Sequence, residues 1–285
     1  MGLWRHLYPS PACPRPVAEL VVLAVIAILV FLVSFTFANV GLGGGGLYVP
    51  VLLLLYLPHD PNADDLVVPI SLSLATATAI SSTWNHWRKG FVNVRMGKYL
   101  VAGALAGAVL GTTFTLDFLK TSLDFKKFFA GLLFFLASAL LYDWAMGKKS
   151  DEDDPAKDTP RHLAAASVAT AASGFISGSA GVGGGVFNVP ILAHVLGRKT
   201  RTAIGTSSLL IIPTAIFGVL IFVARRGVPG EFWVIPVLAP LALIGAYVGS
   251  RWGLRALRAR SVALLFIGVV FLADALVVLD VLGVV

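Results

Sequence analysis

Eight charge-poor stretches, Val17–Leu57, Leu66–Trp87, Tyr99–Leu116, Phe128–Met146, Leu163–Leu196, Thr202–Ala224, Phe232–Ser250 and Val262–Val285, are separated by short segments that hold most of the chain's charge. A helix needs roughly 20 apolar residues to cross a bilayer, and each stretch supplies about that length or more. The 285-residue chain is 57% hydrophobic and only 13% charged, where soluble domains carry roughly 25% charge. These values exclude a soluble globular enzyme, a disordered chain and a disulfide scaffold. With Cys13 as the single cysteine, no intrachain disulfide can form. The expectation is an all-α polytopic membrane protein.

The net charge of +7 would suggest nucleic acid in a soluble protein. Here the basic residues lie between apolar runs, where they set orientation, so no nucleic-acid partner is expected. Met1–Pro16 holds Arg5, Arg15 and four prolines and reads as an N-terminal tail, not a removable signal peptide. The segment Gly147–Arg161 is the strongly polar one and lies at mid-chain. It divides the chain into a first transmembrane unit, 17–146, a polar linker, 147–161, and a second unit, 162–285.

The two units resemble each other. At an offset of 140, Gly41-Leu-Gly-Gly-Gly-Gly-Leu-Tyr-Val-Pro50 falls on Gly181-Val-Gly-Gly-Gly-Val-Phe-Asn-Val-Pro190. Arg88-Lys89-Gly90 then matches Arg225-Arg226-Gly227, Gly107-xxx-Gly111 matches Gly245-xxx-Gly249, and Leu136-Ala-Ser-Ala-Leu140 matches Leu272-Ala-Asp-Ala-Leu276. Four landmarks in one order indicate a duplication. The first and fifth stretches are about twice the length of one crossing, and each is interrupted by its glycine cluster. Each unit is therefore read as a glycine-broken helix or re-entrant hairpin followed by three transmembrane helices.

Loop charge bears on orientation. Asp60, Asp64 and Asp65 precede the second stretch, whereas Arg198, Lys199 and Arg201 occupy the corresponding loop of the second unit. The simplest account is that the two units face opposite ways, the inverted-repeat design of many secondary transporters. A parallel four-plus-four arrangement is the rival.

Consecutive glycines in a lipid-embedded helix leave backbone groups unpaired at several kcal/mol each, unless protein, water or a ligand satisfies them. Pro50 and Pro190 follow close behind, and proline suits a first helical turn. The pattern predicts a glycine hinge and then a new helix N-terminus at membrane depth, which offers free N–H donors and partial positive charge to an anion. Gly103, Gly107 and Gly111, and likewise Gly245, Gly249 and Gly253, recur every fourth residue and read as close helix-packing positions. Gly41-x-Gly43-x-x-Gly46 matches a dinucleotide fingerprint only formally, because no strand precedes it.

The doubled Gly-x-Gly-Gly-Gly with its Val-Pro, together with Gly205-Thr206-Ser207 in the next stretch, resembles the TauE/SafE family of sulfite exporters, also called the 4-toluene sulfonate uptake permeases. The resemblance runs from about Val17 to Val281. It implies a transporter of sulfur-containing anions such as sulfite or organosulfonates, in a prokaryotic inner (cell) membrane. One departure is that Pro69-Ile70-Ser71 stands where the second unit has Ile204-Gly205-Thr206, so the two copies contribute unequally.

The expected substrate-binding residues are Asn39, Gly43, Gly44, Gly45, Tyr48, Ser71, Ser73, Gly183, Gly184, Gly185, Asn188, Thr206, Ser207 and Ser208. Hydroxyls such as these replace an oxoanion's hydration shell, or they bond back to their own helix. Ionisable groups within spans are costly and few; Asp274 and His194 are the proton-coupling candidates. Trp84, Trp87, Trp144, Trp233 and Trp252 sit at span ends as interfacial anchors. Neither paired carboxylates nor a histidine cluster or nucleophile constellation stands out, so no enzyme activity, cofactor or metal is expected. The expected partners are a small anion and the bilayer, with self-association left open. The alternatives to an alternating-access exporter are an anion channel and a membrane scaffold or assembly factor without transport.

Overall fold

The structure is a computed structural model, and it describes residues 15–41, 43–56, 63–119, 121–146, 153–154, 157, 159–256 and 259–282. Cys13, Asp60 and most of the linker fall outside these, as do the side chains of Asp64, Trp144 and Trp252 and the surroundings of Gly253. All regular structure among the described residues is helical. The first half holds α1 (Arg15–Phe37), a short α2 (Gly45–Val51) that widens into a π-type turn at Leu52–Tyr56, then α3 (Ala63–Arg88), α4 (Val94–Phe118) and α5 (Ser122–Met146). The second half holds α6 (Pro160–Ala180), a short α7 (Gly185–Pro190) with a π-type turn at Ile191–Val195, then α8 (Thr200–Arg226), α9 (Ile235–Ala256) and α10 (Ala259–Val281). Seven helices with fully described spans are long and apolar enough to cross a membrane. The chain is a multi-pass membrane protein.

Helix directions follow from the contacts. Asp65, at the start of α3, pairs with Arg226, at the end of α8, at 3.3 Å. Beyond the other end of α3, the Asn93 amide donates to Thr206 Oγ1 near the start of α8 at 3.0 Å. α3 and α8 are therefore antiparallel. The same holds for α5 and α10, where Lys126 meets Asp280 at 2.7 Å and Phe134 meets Phe271 edge-on further along.

α4 and α6 run parallel and unusually close. A methyl added to Gly103, Gly107 or Gly111 would strike the carbonyls of Ser167, Ala171 and Phe175 in turn. α9 lies the same way on α1, with Gly245 on Phe31 and Gly249 on Phe35. Small residues at this spacing let two backbones approach in lipid, where no hydrophobic force drives helices together. The packing role expected for these glycines is what the structure shows, Gly253 falling outside the described side chains. The main packing partners thus cross between halves.

The central helix is α3, most of whose span is buried within the protein. Its flanks are α8 and α9. Charge separates by end. At the end holding Asp65, acids and bases pair: Asp65 with Arg226, Asp117 with Arg225, and Asp280 with Lys126. At the opposite end lie Arg88, Lys89, Arg95 and Lys98 from the first half with Arg198, Lys199, Arg201 and Arg251 from the second. Trp84, Trp87 and Trp233 are about half exposed near helix ends, as interfacial anchors are.

The prolines depart from expectation. Helix α2 begins at Gly45 and α7 at Gly185, so Pro50 and Pro190 sit at the far end of each short α-segment. Proline lacks the N–H that would close the next α-type bond, and the chain widens into the π-type turn just beyond. The prolines shape where each short helix changes pitch, not where it starts.

Candidate functional site at the paired glycine breaks

In the first half α1 ends at Phe37 and its chain turns through Gly41, Gly43 and Gly44 at φ of 74°, 74° and 85°. In the second, α6 ends at Ala180 and turns through Gly181, Gly183 and Gly184 at 72°, 84° and 66°. Left-handed backbone of this kind is open to glycine and strained for other residues. Three matched positions, in the same order, explain why glycine is needed in each cluster.

The two breaks meet. Gly45, the first residue of α2, lies against the main chain of Gly181 and Val182. A methyl at Gly183 would lie 3.3 Å from Ala75 Cβ and 3.6 Å from Ile211, and one at Gly43 would lie 3.0 Å from Ile211 Cδ1. Ala75 and Ile211 stand near the middle of α3 and α8, so the junction is at mid-depth of the helix bundle. From there α2 and α7 depart. The Gly185 amide donates to the Gly183 carbonyl at 2.8 Å, and Leu47, Tyr48, Phe187 and Asn188 donate to the Gly44 and Gly184 carbonyls. This leaves Gly45, Gly46 and Val186 as the initial N–H groups with no acceptor in their own helix.

Carbonyls freed at the breaks are capped reciprocally. Ser71 Oγ on α3 donates to the Gly181 carbonyl at 2.8 Å. Ser207 Oγ on α8 donates to the Gly41 carbonyl at 2.9 Å and lies 3.3 Å from that of Gly185. Thr112 and Thr115 of α4 serve the carbonyls of Gly178 and Ser179. Ser82 Oγ serves that of Ala38 at 3.0 Å and also bonds Ser208 Oγ at 3.1 Å. Irregular chain at membrane depth needs partners for its freed backbone groups, and hydroxyls from neighbouring helices supply them for these carbonyls.

The expected site residues divide accordingly. Gly43, Gly44, Gly45, Gly183, Gly184 and Gly185 form the junction itself. Ser71 and Ser207 hold it, while Thr206 holds the chain at Asn93 and Ser208 bonds both Ser82 and its own helix at Ile204. Ser73 returns to the Pro69 carbonyl of its own helix. Asn39 Nδ2 returns to Phe35, leaving Oδ1 buried without a partner. Tyr48 is fully buried with its hydroxyl between Ser34 and Thr78, 2.7 Å from each, and its ring covers Gly44.

Asn188 occupies the place in α7 that Tyr48 holds in α2. It is 3% exposed and its Oδ1 has no partner. Beside it, Ser173 Oγ donates to the Gly184 carbonyl at 2.7 Å, while the buried Ser177 hydroxyl next to Gly184 has no partner. Asp274 is buried on α10 with Oδ1 unpaired, on a helix that packs chiefly on α5 and also on α2. His194 is exposed at the end of the π-type turn, where its carbonyl accepts from Lys157 Nζ. An open groove of about 400 Å3, lined by Ser81, Trp84, Trp87, Ile212, Leu243 and Tyr247 among others, lies on the flank of α3 and not at the junction.

Sequence reasoning missed Thr112, Thr115, Ser82 and His86. The first three carry hydroxyls whose partners lie on other helices. His86 is 1% exposed, and its Nε2 faces the Ala38 carbonyl at 3.3 Å. A polar ring buried so near the first break was a signal available in the sequence, since His86 falls within an apolar span.

A bundle of membrane-length helices with paired, capped interruptions at mid-depth defines a polytopic membrane protein of the kind built around broken helices, a construction seen in membrane transporters. Residues 26–275 match the family described as Sulfite exporter TauE/SafE, and the chain belongs to that family of membrane transporters. It is 27% identical over 227 residues to the probable membrane transporter protein YdhB of Bacillus subtilis, covering 80% of this chain and 89% of that protein. It is 25% identical over 232 residues to the probable membrane transporter protein MJ0441 of Methanocaldococcus jannaschii, covering 80% and 82%. A shorter similarity, 34% over 94 residues, links it to the probable membrane transporter protein MamO of Magnetospirillum gryphiswaldense and spans 15% of that protein. No solved structure matches the chain. Membership in a transporter family points away from catalysis.

Proposed function

We propose that this protein carries a small sulfur-containing oxoanion, sulfite or an organosulfonate, through the cell membrane of a prokaryote by alternating access, with export favoured. The observation that carries the reading is the meeting of both glycine breaks at mid-depth, each pinned by a serine on a helix of the other half. The anion is held by the leading amides of α2 and α7, with Ser177 and Asn188 as side-chain partners. An amide side chain turned about its last torsion presents NH2 in place of C=O, so Asn188 can donate to an oxoanion.

In this reading the halves are inverted copies of one unit. Antiparallel α3 and α8, antiparallel α5 and α10, and the gathering of basic loops from both halves at one end support it. The positive-inside rule then puts that basic end in the cytoplasm. Rocking of one half on the other opens the junction to each side in turn, with the glycines as hinges.

A membrane potential negative inside drives anions outward by roughly 2.3 kcal/mol per charge per 100 mV. A dianion gains about twice that, equivalent to more than a thousandfold gradient, so export needs no coupling ion. Of the two residues expected from the sequence to carry a proton, Asp274 is buried with Oδ1 unpaired and ranks ahead of exposed His194.

The test is flux in proteoliposomes loaded with sulfite, methanesulfonate, sulfate or acetate, with and without an imposed potential. Selective, saturable sulfite or sulfonate flux supports the reading. Unitary conductance would make the protein a channel, and absence of flux for every anion would leave a scaffold.

A further inference from the structure

The polar groups around the two breaks differ in kind, and the difference points to a proton. His86 is 1% exposed. Its Nε2 lies 3.3 Å from the Ala38 carbonyl, which can only accept, so the proton of the neutral ring sits on Nε2. Nδ1 then carries a lone pair, and it is buried with no hydrogen-bond partner. Gly205 of α8 packs on His86 Cβ and on the Phe91 carbonyl so tightly that a methyl there would collide.

The charged side chains that α3, α4, α8 and α9 bring to this end are basic. Lys89 follows on α3 and donates to the Ser250 carbonyl of α9. Lys199 and Arg201, at the start of α8, lie over the Phe91 ring. Arg251 of α9 is held on Tyr247, and Arg95 opens α4. The last turn of α1 carries no charged side chain. Carboxylates at this end come from the linker, where Asp153 accepts from the Lys199 amide and Asp154 lies against Gly197. A proton on Nδ1 would therefore create a buried cation among cations, without a counter-charge beside it. An anion in the adjoining break supplies that counter-charge.

We propose that His86 binds a proton at Nδ1 together with the anion at the glycine junction, so that anion affinity rises as pH falls. The inference rests on the anion site proposed above and adds the ion that travels with it. Linkage is reciprocal: an anion that promotes protonation is itself bound more tightly by the protonated protein, by a factor typically of about 5 to 150. Asp274 lies on α10, which packs chiefly on α5, so its protonation is expected to leave the pH dependence of anion binding in place.

The experiment is equilibrium binding of methanesulfonate and sulfate to the full-length protein in detergent between pH 5.5 and 8, where neither probe changes charge. Calorimetry in two buffers of different ionisation enthalpy counts protons. Affinity is expected to rise roughly tenfold toward low pH, with at most about half a proton taken up per anion where the profile is steepest. His86→Gln, whose amide can still donate to Ala38 but cannot titrate, is expected to give a flat profile and no proton uptake. The wild-type slope is expected to persist in Asp274→Asn and His194→Gln. A pH-independent wild-type affinity, or a slope lost in either of those variants and kept in His86→Gln, overturns this inference alone. Failure of both probes to bind at any pH overturns the anion site itself. Because the wild-type profile and proton count need no variant, a misfolded His86→Gln protein leaves the inference open to refutation.

Discussion

The two glycine breaks share backbone geometry and differ in what surrounds them. The first is closed by a tyrosine hydroxyl bonded at both flanks, and its unpaired atoms, His86 Nδ1 and Asn39 Oδ1, are acceptors. The second has asparagine where the tyrosine would be, and it leaves a serine hydroxyl unpaired beside the turn. Matched chain paths thus carry unmatched side chains: a hydrogen-bonded tyrosine and a buried histidine at the first break, an unpaired serine hydroxyl and an asparagine whose Oδ1 is also unpaired at the second. Two breaks with one backbone path need not do the same work once they meet at a common point.

Bulk at the turns should break the comparison most severely. Gly44→Val meets the Tyr48 ring at 2.7 Å, whereas Gly184→Val meets Ser173 Oγ and Ser177 Cβ at 3.2 Å. Each also forces a branched residue to positive φ, at about 1–3 kcal/mol of strain. Flux in proteoliposomes is expected to vanish in both, while thermal unfolding shows the larger loss in Gly44→Val. Equal losses would mean that the tyrosine does not distinguish the sites.

Next come the polar side chains that differ. Ser177→Ala should weaken methanesulfonate binding roughly tenfold, the worth of one hydrogen bond to a charged group, with little change in melting temperature. Tyr48→Phe should do the reverse, lowering stability and sparing affinity. Isothermal titration alongside thermal melts separates the two outcomes.

Smaller effects sharpen the reciprocal caps. Ser71→Ala and Ser207→Ala each leave a buried carbonyl unpaired, at about 0.6–1.7 kcal/mol in membrane proteins. The Ser207 variant should melt lower, because its hydroxyl reaches two carbonyls. Smallest of all, Thr76→Val removes only a bond to the Leu72 carbonyl of its own helix, and its unfolding curve should overlay the wild type.

The broken helices, the packing faces at Gly107 and Gly245, and the family were legible because each rests on spacing within a few residues. Partners across the junction were not. Ser71 and Gly181 are 110 residues apart, and a hydroxyl in an apolar run bonds its own helix or a distant one without any change in local pattern. Ser73 took the first course and Ser71, two residues away, the second. Pro50 misled for a related reason: nearness to the glycines suggested a helix start, yet the left-handed Gly44 already begins α2, leaving the proline to end its regular turn.

The seating of α9 on α1 and of α4 on α6 has a consequence for biosynthesis. At about 5–20 residues per second, α6 leaves the ribosome within roughly ten seconds of α4. The partner of α1 emerges about 200 residues after it, a delay of about 10–40 seconds. Throughout that interval the Phe31 and Phe35 surface must be sheltered by lipid, by the insertion machinery or by a provisional neighbour. A nascent chain stalled before α9 would expose that unmatched seam, making it a natural point for membrane quality control to act.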